Sequence, residues 1–414
     1  MNILLIGNGG REHAIAGSLI KSSNCSELFV SPGNAGTDEI ATNLDGNSIA
    51  DWIKIVIDYH IDLTIVGPEQ PLVDGIVDVF RARHYPIVGP TKNASQLEGS
   101  KRFSKEFMMR HNIPTARYEV FQDADLAKHY LKDCNEYPIV IKADGLAAGK
   151  GVLIPENEIG AMKAIDDIMV DKAFGNAGRE VVIEEFMTGI ECSALVFTDG
   201  VTIKPMVSAK DYKRALEGDL GLNTGGMGAI SPNPNYSIDV EDAVMNTILM
   251  PTIRGMASEG NRFQGILYLG LMLTEFGPKV VEYNVRFGDP ETQVILPRLE
   301  TDLLEIFWAI EENRLESLDI KWKNDVAATV VLASGGYPGK YEKGYPINGI
   351  DSQTESIIFH AGTLKKGGYV VTNGGRVIAV TSLAETIGLA LKKSYEAIDK
   401  IEFTGKIFRH DIGS

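Results

Sequence analysis

Three polar residues that could do chemistry recur at every second position in KVVEYNVRFGDPE, residues 279–291. Because side chains alternate between the two faces of a strand, Glu282, Asn284 and Arg286 should share one face. Carboxylate and amide oxygens suit Mg²⁺, and an arginine beside them can hold a carboxylate or phosphate through two parallel hydrogen bonds. The opposite face should be apolar and core-facing: Val281, Tyr283 and Val285. The stretch therefore predicts a metal and anion site, with a solvated strand face as the alternative.

The glycine-rich loop GLAAGKG, residues 145–151, is not a Walker A phosphate loop. Only three residues separate Gly145 from Gly149, no Ser or Thr follows Lys150, and an apolar strand pattern comes next. A glycine hairpin between two strands can instead fold over a triphosphate, because glycine lets the backbone approach the phosphates. Lys142 in the preceding strand PIVIKAD favours this interpretation, since a buried lysine is costly unless it is paired. A tight hairpin without a ligand is the alternative.

The opening stretch MNILLIGNGGREHA has the shape of a dinucleotide-binding turn but lacks its fingerprint. Glu12 stands where the third glycine is needed, and the second strand ends in Val-Ser-Pro without an acid for a ribose. This weakens a nicotinamide oxidoreductase hypothesis. A glycine turn at a helix N-terminus still offers backbone N–H groups to a phosphate. The alternative is that Gly9 and Gly10 only make a tight turn.

An apolar strand pattern ending in acids, VVIEEFMTGIE, covers residues 181–191. Backbone groups at such a strand end can bind an adenine edge, and Glu191 could accept hydrogen bonds from ribose hydroxyls. Charged strand ends are usually only solvated, so this stretch alone is a weak indication.

Composition narrows the function classes. The chain has 414 residues with 44% hydrophobic and 23% charged residues, as expected for a globular protein of several domains. A net charge of −16 argues against non-specific nucleic-acid binding, although a basic pocket for a small anion can exist in an acidic surface. The three scattered cysteines favour a reducing compartment. Without a recognisable leader or membrane span, the sequence predicts a soluble cytoplasmic protein.

Periodicity predicts the elements that must position these residues. Residues 1–90 alternate short apolar runs with helical patterns, which indicates a parallel α/β unit. Its loops 7–12, 31–36 and 67–72 should lie together at the carboxyl ends of the strands. From residue 101 the pattern becomes antiparallel. We expect a long hairpin over 264–291, helices at 10–22, 72–83, 156–171, 239–258 and 301–313, and a hairpin turned at Asn373-Gly374.

Taken together, the motifs resemble the glycinamide ribonucleotide synthetases of the ATP-grasp superfamily. The similarity runs nearly end to end and rests on eleven strings in family order: IGNGGREHA, PGNAGT, DLTIVGPE, QLEGSK, IVIKADGLAAGKGV, VIEEFMTGIE, NTGGMGA, NVRFGDPETQ, FHAGT, VTNGGRV and RHDIG. One departure is Leu222, where the family often has proline. The chain ends after the synthetase portion, so we expect the single-function form.

The resemblance implies an α/β and α+β architecture. We expect an N-terminal parallel, Rossmann-like domain over 1–100, an ATP-grasp domain over 101–324 with a flexible lid at 118–188, and a small α+β domain over 325–414. The implied reaction joins glycine to 5-phosphoribosylamine with ATP, through glycyl phosphate, in purine synthesis. A purine-pathway carboxylase or formate-dependent transformylase is the alternative, and a non-catalytic ATP-grasp scaffold is a third. No nucleophile motif is visible, which agrees with a reaction made by substrate groups.

The resemblance also assigns site residues by position. ATP-binding residues would be Lys105, Lys142, Gly149, Lys150, Gly151, Glu184, Glu185, Phe186 and Glu191. Glu282 and Asn284 would hold Mg²⁺ or Mn²⁺. Phosphoribosylamine would face Asn8, Gly9, Gly10, Gly33, Asn34 and Glu69. Glycine and the transferring phosphoryl group would face Asp211, Lys213, Arg286, Gly288 and Asp289. The expected partners are these small molecules, without nucleic acid or membrane, and a transient contact with the enzyme that makes phosphoribosylamine.

Overall fold

The computed structural model describes residues 1–147, 151–352 and 355–414. Its N-terminal part contains a parallel sheet, as predicted, and the sheet has five strands. In spatial order the strands are Thr42–Asn43, Glu27–Pro32, Asn2–Gly7, Leu63–Val66 and Ile87–Val88. The central strand is apolar throughout because both faces are covered: Leu4 and Ile6 enter one hydrophobic core, and Ile3 and Leu5 enter another.

Short helices connect these strands and follow the sheet. They are Gly10–Leu19, Thr37–Ile40, Ile49–Asp58, Glu69–Asp74, Ile76–Arg81, Gln96–Gly99 and Lys101–Arg110. The predicted helix 72–83 is wrong in its continuity. Gly75 has φ +95°, a left-handed conformation that ends one helix and begins the next.

A second, antiparallel sheet has the strand order Tyr118–Phe121, Val181–Glu185, Ile139–Ala143 and Val152–Leu153. Two helices pack on it, Ala124–Asp133 and Glu158–Ile165, and a π-helical turn, Asp166–Val170, continues the second helix. A 3₁₀ turn, Gly175–Arg179, comes just before the strand Val181–Glu185 along the chain. This module has its own core, which includes Leu131, Ile141 and Ile165. A core of its own is what a subdomain needs to move as a unit.

The central sheet contains the predicted long hairpin. Its order is Ile203–Pro205, Ile190–Thr198, Gly265–Thr274 and Gly277–Asn284. The helical segments that cover it or follow it are Ile238–Val244, Met245–Leu249, Met250–Ser258, Thr292–Ile295, Leu296–Arg298, Leu303–Glu311 and Leu315–Ser317. Three of its strands contribute buried residues to a core shared with the N-terminal sheet, so these two regions form one body.

A third sheet joins strands from both sides of residue 325. Its order is Lys210–Asp211, Gly228–Ser231, Val326–Ser334, Arg376–Ala384 and Ile357–His360, and Lys406–Ile407 pairs with the third of these strands. Helix Ile387–Ile398 packs against it. A small hairpin, Arg214–Leu216 with Leu220–Asn223, follows the first strand, and a short helical turn covers Ile350–Ser352.

The predicted hairpin at Asn373-Gly374 is wrong. Tyr369–Thr372 pairs with Thr363–Lys366, whereas Arg376–Ala384 pairs with Val326–Ser334 and Ile357–His360. The two strands that flank the Asn-Gly dipeptide therefore belong to different sheets. A local turn signal cannot report which distant strands offer the larger apolar surface.

Candidate active site

The strand Gly277–Asn284 and the turn after it place the predicted metal and anion residues at one end of the central sheet. Glu282 is opposite Gly270, where an added Cβ would lie 3.1 Å from the Glu282 Cγ, so the glycine leaves room for this side chain. A bulge between Gly270 and Leu271 shifts the register. As a result Val280, not Val281, is fully buried, while Tyr283 and Val285 face the core as predicted.

Arg286 is held by carboxylates from the N-terminal part of the chain. Its Nε lies 3.2 Å from Glu69 Oε2, and its Nη2 lies 2.9 Å from Glu98 Oε1 and 3.1 Å from Asn284 Oδ1. Glu98 also accepts a 2.7 Å hydrogen bond from the Val285 N–H. Sequence reasoning missed Glu98, although it lies within the family string QLEGSK. Its partners are almost two hundred residues away, and no local spacing reveals that contact.

The pKa values of Glu98 and Glu69 shift in opposite directions. Burial raises the pKa of Glu98 above its ordinary value, and the Arg286 charge only partly opposes this. Burial also acts on Glu69, but the guanidinium groups of Arg286 and Arg11 outweigh it and lower the pKa of Glu69. The cluster therefore keeps a charged Glu69 facing Arg286 at neutral pH.

A buried carboxylate bridges the two lysines predicted to bind ATP phosphates. Glu184 Oε2 lies 3.0 Å from Lys105 Nζ, and its Oε1 lies 2.9 Å from Lys142 Nζ. Lys105 also donates to Thr115 Oγ1 at 2.7 Å, and Lys142 donates to the Val281 carbonyl oxygen at 3.1 Å. Burial lowers the pKa of Lys105 to about 8 even though Glu184 opposes this. Two cations share this one carboxylate, which can neutralise only one of the two lysine charges.

The strand Val181–Glu185 leads from this pocket to the predicted adenine residues. Glu185 pairs with Arg117 at 2.5 Å and with Lys279 at 3.5 Å, so its carboxylate is used for protein contacts. Phe186 is 41% exposed, and an aromatic ring at a strand end can lie against a base. Glu191, at the start of the next strand, pairs with Lys213 Nζ at 3.0 Å.

Asp211 belongs to a buried polar cluster, and Lys213, whose side chain is 33% exposed, lies beside it. The Ser193 hydroxyl lies 3.3 Å from Asp211 Oδ1, 3.3 Å from Glu291 Oε1 and 2.9 Å from the Tyr268 hydroxyl. Burial, then the Asp211 carboxylate, raises the pKa of Glu291 to about 7, and burial also raises the pKa of Asp211. The negative charge of Asp211 therefore favours the protonated form of Glu291. Sequence reasoning missed Glu291, although it lies only two residues after the predicted Gly288–Asp289 turn.

Burial opposes the charge of Lys213, but its carboxylate neighbours Asp211 and Glu191 raise its pKa well above the ordinary value. The charges of Lys213 and Lys142 also act on Glu282. Burial raises its pKa, yet the charges of Lys213, then Lys142, bring it below the ordinary value. Lys213 forms its ion pair with Glu191, and Lys142 forms its ion pair with Glu184. Both lysines therefore act on Glu282 through their charge without pairing with it, and the Glu282 carboxylate stays ionised.

The first glycine turn is shaped by Glu12. The Gly9 N–H donates to Glu12 Oε2 at 2.6 Å, and an added Cβ on Gly67 would lie 2.1 Å from Glu12 Oε1. The glutamate thus fills the space beside the turn and accepts the hydrogen bond of the N-cap N–H, which is the half of a capping box that a glycine N-cap allows. The expectation that these backbone N–H groups are open to a phosphate is therefore wrong for Gly9.

All three parts of the chain meet beside this turn. Asn34 Nδ2 donates to the carbonyl oxygens of Asn8 at 2.9 Å and His360 at 2.8 Å. An added Cβ on Gly9 would lie 3.3 Å from Asp289 Oδ2, and Arg376 Nη1 donates to the Asp289 carbonyl oxygen at 2.7 Å. Although burial raises the pKa of Asp289, Arg376 and Arg11 lower it below its ordinary value. The predicted substrate residues therefore line a junction that the C-terminal part completes.

Comparison with known proteins gives this architecture a family. Three phosphoribosylglycinamide synthetase family models match in order: the N domain at residues 1–98, the ATP-grasp (A) domain at 99–292 and the C domain at 327–414. Phosphoribosylamine–glycine ligase of Vibrio cholerae is 48% identical over all of this chain and 98% of its own length. The chain belongs to the phosphoribosylglycinamide synthetase family.

Solved structures agree with this membership. Phosphoribosylamine–glycine ligase from Thermotoga maritima has a TM-score of 0.87 and 34% identity, covering 99% of this chain and 100% of that one. The biotin carboxylase domain of Hydrogenobacter thermophilus 2-oxoglutarate carboxylase, in complex with MgADP and bicarbonate, has a TM-score of 0.76 at 14% identity, covering 98% and 91%. The latter similarity shows the fold alone. The expected ATP-grasp fold and N-terminal parallel sheet are confirmed.

For this member of the synthetase family, the predicted site residues within the described part of the chain lie in four clusters. The lysine pair with Glu184 lies at the second sheet, the Arg286 and Lys213 clusters lie at the end of the central sheet, and the glycine turn lies at the junction. Gly33, with φ +74°, would place an added Cβ against the Asn43 side chain, so it shapes the neighbouring loop. Gly149 and Lys150 lie outside the described residues. Within that part of the chain, no helix is long and apolar enough to cross a membrane.

Proposed function

We propose that this chain joins glycine to 5-phosphoribosylamine at the expense of ATP, giving glycinamide ribonucleotide, ADP and phosphate in purine synthesis. The observation that carries this is family membership along the whole chain, together with a full set of charged clusters in the ATP-grasp region. The alternative carboxylase or transformylase reactions gain no support from the relatives, which are named for the glycine ligase.

The lysine pair is the proposed triphosphate site. Lys105 and Lys142 are both nearly fully buried, and a cation is expensive in such a place unless an anion compensates it. Glu184 supplies one negative charge for two positive ones. Bound phosphates would supply the rest, with Phe186 and Glu191 toward the base and ribose. Gly151, buried and bonded through its carbonyl oxygen to the Ala143 N–H at 2.8 Å, anchors one end of the loop that would cover them.

Glu282 and Asn284 fit a divalent cation that also binds phosphates. The carboxylate is kept ionised, and the glycine opposite it leaves space. Among the described residues, no group of three or more His, Cys, Asp or Glu side chains could hold a metal alone. A site of two protein oxygens suits Mg²⁺, which usually completes its shell with phosphate oxygens and water; Mn²⁺ is the second choice. When bound, the metal would neutralise charge that develops on the transferring phosphoryl group.

The remaining chemistry needs positioning and charge, not a protein nucleophile. The glycine carboxylate attacks the γ-phosphorus of ATP, and the phosphoribosylamine nitrogen then displaces phosphate from the acyl carbon. Lys213 and Arg286 can stabilise negative charge on the reacting phosphoryl and carboxylate oxygens. The thiol nearest the site, Cys192, is 3% exposed and burial raises its pKa to about 12, so it is not a thiolate at neutral pH. The Glu291 and Asp211 pair can receive a proton when the amine attacks.

Two finer statements belong to the same proposal. The three cysteines are unpaired, which supports the cytoplasm as the location. Because phosphoribosylamine is unstable, we also propose a transient contact with the enzyme that makes it, with the three-part junction as the entry point.

The test is ADP release from ATP and Mg²⁺ with glycine and freshly made phosphoribosylamine added singly and together. Release that requires both, with glycinamide ribonucleotide detected by mass spectrometry, supports the proposal. Release supported by bicarbonate or formate in place of glycine would transfer the chain to a sibling reaction. A Glu259→Gln variant, which changes a surface ion pair with Arg110, serves as the control for substitution itself.

A further inference from the structure

Residues 210–213 present two faces with different partners. Lys210 Nζ and the Tyr212 hydroxyl both donate to the Ser414 carbonyl oxygen, at 2.9 and 3.2 Å. Asp211 instead contacts Ser193, and Lys213 contacts Glu191, both on the side of the reacting groups. The side chains therefore alternate along this extended segment, of which Lys210–Asp211 form a strand: even residues face the segment 409–414, and odd residues face the site.

Arg409 is the centre of the even-side contacts. It is 1% exposed, and its Nε and Nη2 each lie 2.7 Å from an oxygen of Asp411. Its Nη1 donates to the Arg214 carbonyl oxygen at 3.1 Å and to Asp219 Oδ1 at 2.9 Å. The guanidinium carbon lies 5.3 Å from the Tyr212 ring centre. One side chain therefore touches the strand, the start of the hairpin after it and the turn of that hairpin.

The same segment fixes the turn of the hairpin. Asp411 Oδ2 accepts a 2.8 Å hydrogen bond from the Gly218 N–H, and His410 Nδ1 lies 2.8 Å from Glu217 Oε1. Gly218 and Asp219 both have positive φ, at +66° and +54°. A non-glycine residue in this region is uncommon, so external contacts favour the turn as it stands.

We propose that Arg409, with the segment 409–414, is a positioning element for Asp211 and Lys213. It acts on the far side of their strand and touches no substrate. This rests on the proposed role of Lys213 at the transferring phosphoryl group. A charge used in phosphoryl transfer must be placed closely, and a misplacement of about 1 Å can cost about a hundredfold in rate.

The first test is Arg409→Lys, which keeps the charge but cannot make the two-pronged contact with Asp411 while reaching Arg214 and Asp219. We expect kcat to fall about tenfold with KM for ATP within about twofold, because only the placement of Lys213 changes. The matched control is Glu259→Gln, which weakens another two-pronged arginine pair, at the surface and with no residue of the proposed site in it, and should leave kcat unchanged.

A second variant keeps the test open if Arg409→Lys does not fold. Asp219 is 68% exposed and has a positive φ that glycine tolerates, so Asp219→Gly removes its contact with Arg409 without straining the backbone; we expect kcat to fall about threefold. Unchanged kcat in both folded variants would overturn the proposal. A fall in kcat together with a rise in every KM and a lower melting temperature would also overturn it, because that pattern indicates general destabilisation. A third variant, Lys213→Met, distinguishes failure of the proposed function from failure of this inference. If Lys213→Met has the kcat of the natural chain, the proposed role of Lys213 is refuted. If Lys213→Met is inactive while Arg409→Lys has normal kcat, only the positioning role of Arg409 is refuted.

Discussion

The contact between His13 and His360 should make the protein sensitive to acid. His13 lies in the first helix, and its Nδ1 accepts a 2.8 Å hydrogen bond from the His360 N–H in the C-terminal part. Burial, then the nearby His360, lowers the pKa of His13 from 6.5 to about 3. An acceptor nitrogen must be unprotonated, so protonation and this hydrogen bond exclude each other.

The magnitude follows from the difference between the two states. Between the ordinary value of 6.5 and about 3, the unfolded chain binds a proton at His13 that the folded chain does not. Stability therefore falls as pH falls through this window. The cost is ~2 kcal/mol at about pH 5 and approaches ~5 kcal/mol near pH 3, at ~1.4 kcal/mol for each pKa unit.

The assay is urea unfolding at about pH 8 and about pH 5 for the natural chain and for His13→Asn, whose amide oxygen can accept the same hydrogen bond without titrating. The natural chain should lose ~2 kcal/mol more than the variant between the two pH values. Equal losses, within ~0.5 kcal/mol, would refute the argument that His13 stays neutral in the fold. A pKa of His13 near 6.5 by NMR in the folded protein would refute it directly.

Three further outcomes are expected at the site. Glu98→Gln should lower the unfolding free energy by ~3 kcal/mol, because a buried Arg286 loses a partner, and chemical denaturation measures this. Lys142→Met should raise KM for ATP at least ~10-fold while KM for glycine stays within a factor of about two, checked by ADP release. Gly9→Val should clash with Glu12 and Asp289 and raise KM for phosphoribosylamine, leaving ATP affinity alone; equal loss of both would contradict the placement.

Local spacing predicted much of the fold and part of the site. The alternation of Glu282, Asn284 and Arg286 and the apolar strands of the first ninety residues have a period set by backbone geometry, which sequence displays directly. The bulge beside Val281 escaped prediction because it depends on how the partner strand around Gly270 fits. The predicted helix 72–83 was wrong at Gly75, because an isolated glycine in a helical pattern can either continue the helix or end it, and the sequence does not distinguish the two.

The missed residues have a common physical reason. Glu98 matters through Arg286, and Glu291 matters through Asp211 and Ser193, all of them distant in sequence. Such pairs form only when separate elements meet in space, and their charges acquire shifted pKa values only after burial. The predicted hairpin at Asn373 was wrong for a similar reason, because strand pairing depends on distant partner strands and not on the local turn sequence.

The third sheet has a consequence for dividing this protein into pieces. The fully buried strand Gly228–Ser231 pairs with Val326–Ser334. The sheet therefore contains strands from both sides of residue 325, where the sequence suggests a domain boundary. A fragment ending near residue 325 would expose that strand as a bare edge, which is a template for aggregation. Expressing both fragments together should restore solubility, and recombination between relatives should succeed more often when 210–231 and 326–414 come from the same parent.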